Sequence, residues 1–336
     1  MLPTRLFQLI SVDEGYLLTA SNPDITYTVC VSNSPILTSD ESTFFSFRDC
    51  FFFHTSFENR PYCHITWEYG STVVSLQDLP AGNCYNLRDL GGYLNTEGNA
   101  VVRYGLIYRC DQPSSMGSEA GSVFQKLGIR SVLDFRGSVE HRMMPDPIIK
   151  GVENLWLPVF EENPAAPRKH MELSDIFAMD DNWKSDQITE LRASYEAMPF
   201  AASAYLPLFQ RLLDGTVPIL FHCLAGKDRT GIGAMLVLLA LGIPFETILE
   251  DYLHCSDAFQ AYIDYRHGNF EEYLNTDLSL DHFIGFFSVK EENLRAAMNT
   301  ILEKHGTVER FFLEHYGLGT EELTFMRSRY LLPLVK

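Results

Sequence analysis

The sequence has little positive charge for its size. In 336 residues, 26 lysines and arginines stand against 44 aspartates and glutamates, which gives a formal net charge of -18. Broad nucleic-acid binding depends on basic side chains that neutralise phosphates, so this composition predicts no nucleic-acid partner. The same charge disfavours anionic membrane surfaces. An anionic ligand would therefore have to be bound by a local concentration of cations.

Metal-binding spacings and long apolar runs are also lacking. The seven cysteines form no C-x-x-C pair and no Cys/His cluster of the kind that binds zinc, so we expect neither metal nor cofactor. The longest apolar stretch, residues 234–243, is about half the length that spans a bilayer, and we expect no transmembrane segment. The first residues do not resemble a secretory signal, which favours a reduced, cytoplasmic location and leaves export by another route open. The oligomeric state is not indicated.

The first eighty residues are rich in short β-branched and aromatic runs separated by turn-forming residues. This pattern predicts a small all-β, sandwich-like domain at residues 1–80. The predicted strands are residues 16–19, 27–31, 44–47, 50–54, 62–67 and 72–76.

After residue 80 apolar runs alternate with helical stretches, which is typical of a sheet covered by helices. We therefore predict a second, α/β domain at residues 81–336, with a mostly parallel central sheet. Its predicted strands are residues 106–108, 131–135, 155–159 and 217–221, and its clearest helices are residues 230–241 and 245–254. The amphipathic segment 289–332 is placed on the flank. A polar, poorly periodic stretch at about residues 160–200 is interpreted as a lid or surface insertion.

Residues 217–241 have the layout of a strand, a loop and an apolar helix, with Cys223 at the start of the loop. A phosphate in such a loop would lie on the N-terminus of the helix, where free N–H groups and the helix dipole favour an anion. The same field favours the thiolate form of Cys223, a strong nucleophile. Arg229, six residues later, can place its guanidinium fork on two phosphoryl oxygens.

The rest of the loop has supporting roles in this interpretation. We expect phosphate contacts from Leu224, Ala225, Gly226, Lys227, Arg229 and Thr230. The Thr230 hydroxyl can donate to the thiolate, and the His222 ring can orient the loop. The alternative is that Cys223 is a buried structural thiol, the commoner fate of cysteine. A nucleotide-binding P-loop is excluded because Asp228, rather than Ser or Thr, follows the Gly-Lys pair.

The string from His222 to Gly231 resembles the HCxxGKDRTG loop of the bacterial tyrosine-phosphatase family, which belongs to the cysteine-based phosphatases. Residues 86–93 are similar to that family's N-F-R-D-L-G-G-Y, residues 103–109 to its R-x-G-x-L-Y-R, and residues 132–136 to its V-x-D-L-R. Cys110 stands where serine is usual. The resemblance covers roughly residues 80–336 and implies a cysteine-phosphatase fold and a phosphotyrosine protein as substrate. A phosphoinositide or another small phosphoester is the alternative substrate, and a phosphopeptide-binding module without turnover is the alternative function.

Three aspartates compete for the role of general acid, which protonates the leaving group. Asp228 lies inside the loop and can point at the leaving oxygen, or it can form a structural salt bridge. Asp134 ends a buried strand at the edge that presents Cys223, and orienting Arg136 or Lys227 is the favoured alternative to acid catalysis. Asp146, flanked by prolines, superficially resembles a mobile acid loop but is also typical of a turn.

Arg88 and Asp89 precede two glycines that allow close backbone approach. The turn that they form either borders the pocket or braces the phosphate loop, and the sequence leaves both open.

Overall fold

The computed structural model describes residues 5–37, 43–57, 60–160, 191–258 and 289–334. Within these residues the chain is a mixed α/β protein. The strands are β1 (Phe7–Val12), β2 (Gly15–Ala20), β3 (Tyr27–Ser32), β4 (Phe45–Phe47), β5 (Cys50–Phe53), β6 (Tyr62–Trp67), β7 (Gly70–Ser75), β8 (Arg88–Asp89), β9 (Ala100–Val102), β10 (Ile107–Cys110), β11 (Ser131–Asp134), β12 (Glu153–Trp156), β13 (Ile219–His222) and β14 (Leu331–Pro333). The α-helices are α1 (Ala120–Leu127), α2 (Ser138–Met143), α3 (Ala202–Asp214), α4 (Asp228–Ala240), α5 (Phe245–Leu253), α6 (Glu291–His305), α7 (Val308–Phe311) and α8 (Thr320–Tyr330).

Strands β1 to β7 form two antiparallel sheets, in the orders β1-β2-β5 and β4-β3-β6-β7. Apolar residues from both sheets belong to one buried cluster, with Phe7 and Leu18 from the first sheet and Val29, Cys63 and Ile65 from the second. All six strands expected in this region overlap observed ones. β1 was not predicted. Phe7 and Leu9 are buried, but the apolar Ile10 stands at an exposed position where an alternating sequence pattern would have a polar residue. That this region is an independent domain stays a prediction.

The central sheet has the order β12-β11-β13-β10-β8. Its first four strands are parallel and β8 is antiparallel to β10, so the sheet is mostly parallel. β11 and β13 are neighbours, and their register pairs Asp134 with His222 at their carboxyl ends. This pairing brings the two motifs together at one sheet edge, the edge where such sheets bind ligands.

Helix α4 begins directly after the loop that follows β13 and is buried on every face from Thr230 to Ala240. A helix that is apolar all round belongs in a core, and α4 lies in the largest apolar cluster of the described residues. Leu294 of α6 and Met326 of α8 join that cluster, so the C-terminal helices cover the core as the flank prediction requires.

Most of the stretch interpreted as a lid lies outside the described residues, which resume at 191. Residues 191–197 are helical and a 3-10 turn, Met198–Phe200, follows. Tyr195 and Met198 are fully buried in the main core, so this end of the stretch packs against the core, and the interpretation of the rest as a lid stays a prediction. No helix among the described residues has the length and apolar character needed to cross a membrane.

Candidate active site

The loop from Cys223 to Lys227 joins β13 to α4 and presses closely on the end of β10. Gly226 has a φ of 67°, and a Cβ there would lie 2.3 Å from the carbonyl oxygen of Cys110. Both the left-handed backbone and this close approach restrict the position to glycine. Cys223 is only 1% exposed, at the base of the loop.

Side chains from two other segments hold the carbonyl oxygens of this loop. Asn86 Nδ2 lies 3.1 Å from the oxygens of both Ala225 and Gly226, and Arg109 donates to Gly226 O at 2.7 Å. Because each peptide is planar and trans, the N–H groups of Gly226 and Lys227 point away from these anchors. N–H groups turned the same way form a concave nest for an anion.

A buried ion cluster stands behind these anchors. Asp251 of α5 accepts from Arg88 at 3.1 Å and also binds Arg109, and each arginine donates to the Cys255 sulfur at 3.3 Å. Burial alone would raise the pKa of Asp251, but the charges of the two arginines lower it far below its usual value. Arg88 also binds the Asn86 amide oxygen, so its contacts are those of a brace for the loop.

Asp89 lies apart from the loop although it neighbours Arg88. Its carboxylate accepts from Arg60 at 2.6 Å and from the backbone N–H groups of Gly91 and Gly105. Asp89 therefore joins the central sheet to the segment that precedes β6. Among the described residues Asp89 makes no hydrogen bond to the phosphate loop, so its supporting role stays a prediction.

Arg229 is oriented by a carboxylate that the sequence interpretation missed. Both terminal nitrogens of its guanidinium donate to Glu140 of α2, one of them at 2.8 Å. The Tyr205 hydroxyl donates to the backbone oxygen of Arg229 at 2.8 Å. Burial would lower the pKa of Arg229, but the Glu140 hydrogen bond and neighbouring negative charge raise it, which keeps the guanidinium charged. One side of the fork is thus held while its side chain stays 19% exposed.

Asp134 belongs to a second ion cluster beside the loop. It accepts from Nε and a terminal nitrogen of Arg136, both at 2.8 Å, and contacts His141 Nδ1 at 2.8 Å. Burial raises its pKa, but the Arg136 hydrogen bond and the nearby His222 and Arg136 charges bring the value down to about 2. A carboxyl with these contacts orients Arg136 and is a poor proton donor.

Asp146 bridges this cluster to the loop, contacting Arg136 at 2.8 Å and His222 Nε2 at 2.9 Å. The other ring nitrogen of His222 lies 3.1 Å from the Cys223 carbonyl oxygen. Ligand atoms of Asp134, Asp146 and His222 lie within 4.8 Å of one another, a spacing that could hold a metal ion. The Arg136 guanidinium bonds to both carboxylates and so offsets part of their charge within the protein.

Asp228 opens helix α4 with a side chain that is 24% exposed. One carboxylate oxygen accepts from the Tyr195 hydroxyl, and the other lies 3.9 Å from Lys227 Nζ. Thr230 behaves differently from the prediction, because its buried hydroxyl oxygen has no hydrogen-bond partner among the described residues. Its donation to the Cys223 sulfur is therefore not observed.

Sequence reasoning missed Glu140, Tyr195, Tyr252 and Asp251 as parts of this site. Asp251 carried a usable signal, since it lies on the buried face of α5 with Ile248, and a buried acid needs a partner. Glu140 and Tyr195 carried none, because their contacts join segments far apart in the chain.

The arrangement combines a buried thiol, a nest of N–H groups, a held guanidinium and a partly exposed carboxylate. These are the parts that a phosphoryl transfer through a covalent intermediate requires.

Comparison with known proteins agrees with this chemistry. The model of the tyrosine phosphatase family matches residues 79–332. A protein of Cupriavidus necator named as a tyrosine-protein phosphatase is 34% identical over 195 residues, covering 54% of this chain and 64% of its own length. The triple specificity protein phosphatase PtpB of Mycobacterium tuberculosis is 25% identical over 284 residues, covering 77% of this chain and 99% of its own length.

A solved structure is also similar, the core catalytic domain of the PP-IP phosphatase SIW14 from S. cerevisiae in complex with citrate. It shares 14% identity, covers 66% of this chain and 95% of its own, and has a TM-score of 0.27, too low to inform on the fold. The family model alone spans well over half of the sequence and includes all the motifs described above. The chain therefore belongs to the tyrosine phosphatase family, a family of phosphoric monoester hydrolases.

Proposed function

We propose that this chain hydrolyses phosphoesters through a phosphocysteine intermediate at Cys223, within a cysteine-phosphatase fold formed by about residues 81–336. The observation that carries the proposal is the anchored loop. Asn86 and Arg109 hold its carbonyl oxygens, so its N–H groups are turned towards the space where an anion would lie. Arg229, in the first turn of α4 and held by Glu140, supplies the cation.

In the first step the Cys223 thiolate attacks phosphorus, and an S–P bond forms as the bond to the leaving oxygen breaks. Asp228 donates its proton to that oxygen. The Arg229 guanidinium and the loop N–H groups bind the equatorial oxygens, where charge accumulates. In the second step water attacks phosphorus, Asp228 takes its proton and the S–P bond breaks. A new P–O bond forms, inorganic phosphate is released and the thiolate is regenerated.

Asp134 has a positioning role in this proposal. Its pKa of about 2 and its bonds to Arg136 keep it ionised and occupied. Through Arg136, Asp146 and His222 it supports the carbonyl of Cys223. In this proposal the phosphate is surrounded by the loop residues Leu224, Ala225, Gly226 and Lys227 and by Thr230 in the first turn of α4.

We propose a phosphotyrosine protein as the substrate. Leu224 and Met144, 37% and 38% exposed, both contact Gln112, through its backbone N–H and its side chain respectively. Leu224 lies in the loop and Met144 is joined to it through Gln112, and two partly exposed apolar side chains suit an aromatic leaving group. A polyphosphorylated ring would need additional positive charge in the site. Lys227 could supply it, but the neighbouring Asp228 carboxylate offsets the charge of Lys227.

The test uses two leaving groups, 4-nitrophenyl phosphate and a phosphoserine peptide, with a chelator present throughout. Cys223→Ser should abolish turnover of both while phosphate binding persists. Asp228→Asn should slow the peptide about a hundredfold or more and the activated aryl ester far less, because only the first needs protonation.

Asp134→Asn is the matched control, with the same chemical change at the neighbouring aspartate. It should slow both substrates by a similar factor. If Asp134→Asn instead shows the leaving-group dependence, Asp134 is the acid. If the unmodified protein binds phosphopeptide without hydrolysis, it is a binding module, and activity only with an added divalent ion would contradict the mechanism.

A further inference from the structure

Two buried tyrosines lead from the core to Asp228. The Tyr195 hydroxyl bonds to Asp228 Oδ1, and the Tyr252 hydroxyl lies 2.6 Å from the Tyr195 hydroxyl. Tyr195 is fully buried and Tyr252 is 1% exposed. The two residues come from separate elements, the helical residues 191–197 and α5. Neither belongs to the phosphate loop.

The direction of these hydrogen bonds follows from the number of protons. A phenol has one O–H, and a carboxylate oxygen only accepts, so the proton of Tyr195 is directed at Asp228. Tyr195 must then accept from Tyr252 through its own oxygen. Burial and the negative charge of Asp228 raise the pKa of Tyr195 well above its ordinary value, so it stays a neutral donor.

The two oxygens of Asp228 are therefore unequal. Oδ1 faces the buried Tyr195, whereas Oδ2 lies on the side of Lys227, 3.9 Å from its ammonium group. A proton on Oδ2 leaves Oδ1 as a carbonyl-like acceptor, so the Tyr195 hydrogen bond persists in both protonation states of Asp228. The contact can thus hold the side chain throughout a reaction cycle.

We propose that Tyr195 is a positioning residue that fixes the Asp228 carboxyl by Oδ1, so that Oδ2 carries the proton to the leaving oxygen, with Tyr252 orienting the Tyr195 hydroxyl. The inference rests on the proposed role of Asp228 as the general acid. Helix α5 then serves the site twice, because Asp251 supports the arginines behind the loop and Tyr252 supports the acid.

The test is Tyr195→Phe, which removes one oxygen and keeps the ring. Its kcat/KM should fall about tenfold for a phosphoserine peptide and less than about threefold for 4-nitrophenyl phosphate, since only the poor leaving group depends on a placed proton. The inhibition constant for vanadate should stay unchanged, because the loop and Arg229 are untouched. Tyr252→Phe should shift the same ratio in the same direction by a smaller factor.

Tyr316→Phe is the matched control. Tyr316 is also buried and donates its hydroxyl to a single oxygen, that of Pro199, at 2.6 Å. Its loss should leave the ratio between the two substrates unchanged.

Equal slowing of both substrates by Tyr195→Phe, or no slowing, would overturn the proposal. Should Tyr195→Phe fail to fold, Tyr252→Phe decides, and an unchanged ratio there overturns it. The failure of the underlying function is separate: if Asp228→Asn itself lacks leaving-group dependence, Asp228 is not the acid. If Asp228→Asn shows leaving-group dependence and the tyrosine variants do not, the positioning role of Tyr195 is wrong and the role of Asp228 as the acid stands.

Discussion

At the scale of single residues, the site depends on side chains that orient other side chains. In the proposed mechanism Arg229 binds the phosphoryl oxygens, and its bidentate contact with Glu140 holds the guanidinium in one direction. A hydrogen bond to a charged group contributes roughly 1.5–3 kcal/mol, which is comparable to the effect of a substrate contact. We therefore expect Glu140 to affect phosphate binding without touching the ligand.

Glu140→Gln should reduce kcat/KM about tenfold or more, because the neutral amide cannot accept two charge-assisted bonds from Arg229. The loss should be similar for aryl phosphate and phosphoserine substrates, and vanadate should bind more weakly. Glu153→Gln is the control, since Glu153 pairs with Arg211 at 2.7 Å on the surface. Unchanged vanadate affinity in Glu140→Gln would show that Glu140 does not orient the clamp.

What the sequence could predict at this scale was local. The strand, loop and helix around Cys223 and the spacing to Arg229 follow from a continuous stretch of residues. The partners of these residues come from elsewhere, Glu140 from α2 and Tyr195 from residues 191–197. No periodicity links such segments, so only the folded chain reveals the contacts. Asp89 shows the converse, because its place beside Arg88 in the sequence did not bring it to the loop.

At the scale of elements, the phosphate loop is a short piece of backbone fitted between β10 and α4. The carbonyl of Cys110 lies where a side chain at position 226 would be, and α4 is packed on all sides. The loop cannot retreat from a clash by moving the helix, since the interior is closely packed.

Gly226→Ala should therefore lower activity by about a hundredfold or more, because a Cβ 2.3 Å from the Cys110 oxygen displaces the loop N–H groups. Kinetics together with circular dichroism would separate loop displacement from unfolding. Gly317→Ala is a matched control, because Gly317 has a φ of 68° and no atoms within 4 Å of the added Cβ. That variant has a backbone cost of about 1 kcal/mol and should retain activity. Full activity in Gly226→Ala would contradict the close fit.

At the scale of the whole molecule, the strand patterns predicted both the β-rich start and the mostly parallel sheet. The sequence could not show how they join. Arg60 precedes β6 and makes a salt bridge with the buried Asp89 of β8 at 2.6 Å. We propose that residues 1–80 form a domain of their own, tied to the rest by this buried pair.

The acid stability of the molecule should depend on Asp134. Its pKa in the folded chain is about 2, below the ordinary value of 3.8, so its contribution is fully present above about pH 4. That contribution, about 2 kcal/mol, is lost as the pH falls towards 2. Urea unfolding of the wild type and Asp134→Asn from pH 6 to pH 2 would measure it. The difference in unfolding free energy should shrink towards low pH, and a constant difference would contradict the prediction.

The anchored carbonyls of Ala225 and Gly226 also determine when the entropy cost of ordering the loop arises. Asn86 and Arg109 orient the dipoles of the loop during folding, before any ligand arrives. The entropy cost of ordering those peptides therefore lowers the stability of the folded chain and is not incurred again in each catalytic cycle. Fewer degrees of freedom remain to be frozen when a phosphoryl group enters. The loop therefore has its binding shape before a phosphoryl group enters, and its peptide dipoles have the same orientation in every turnover.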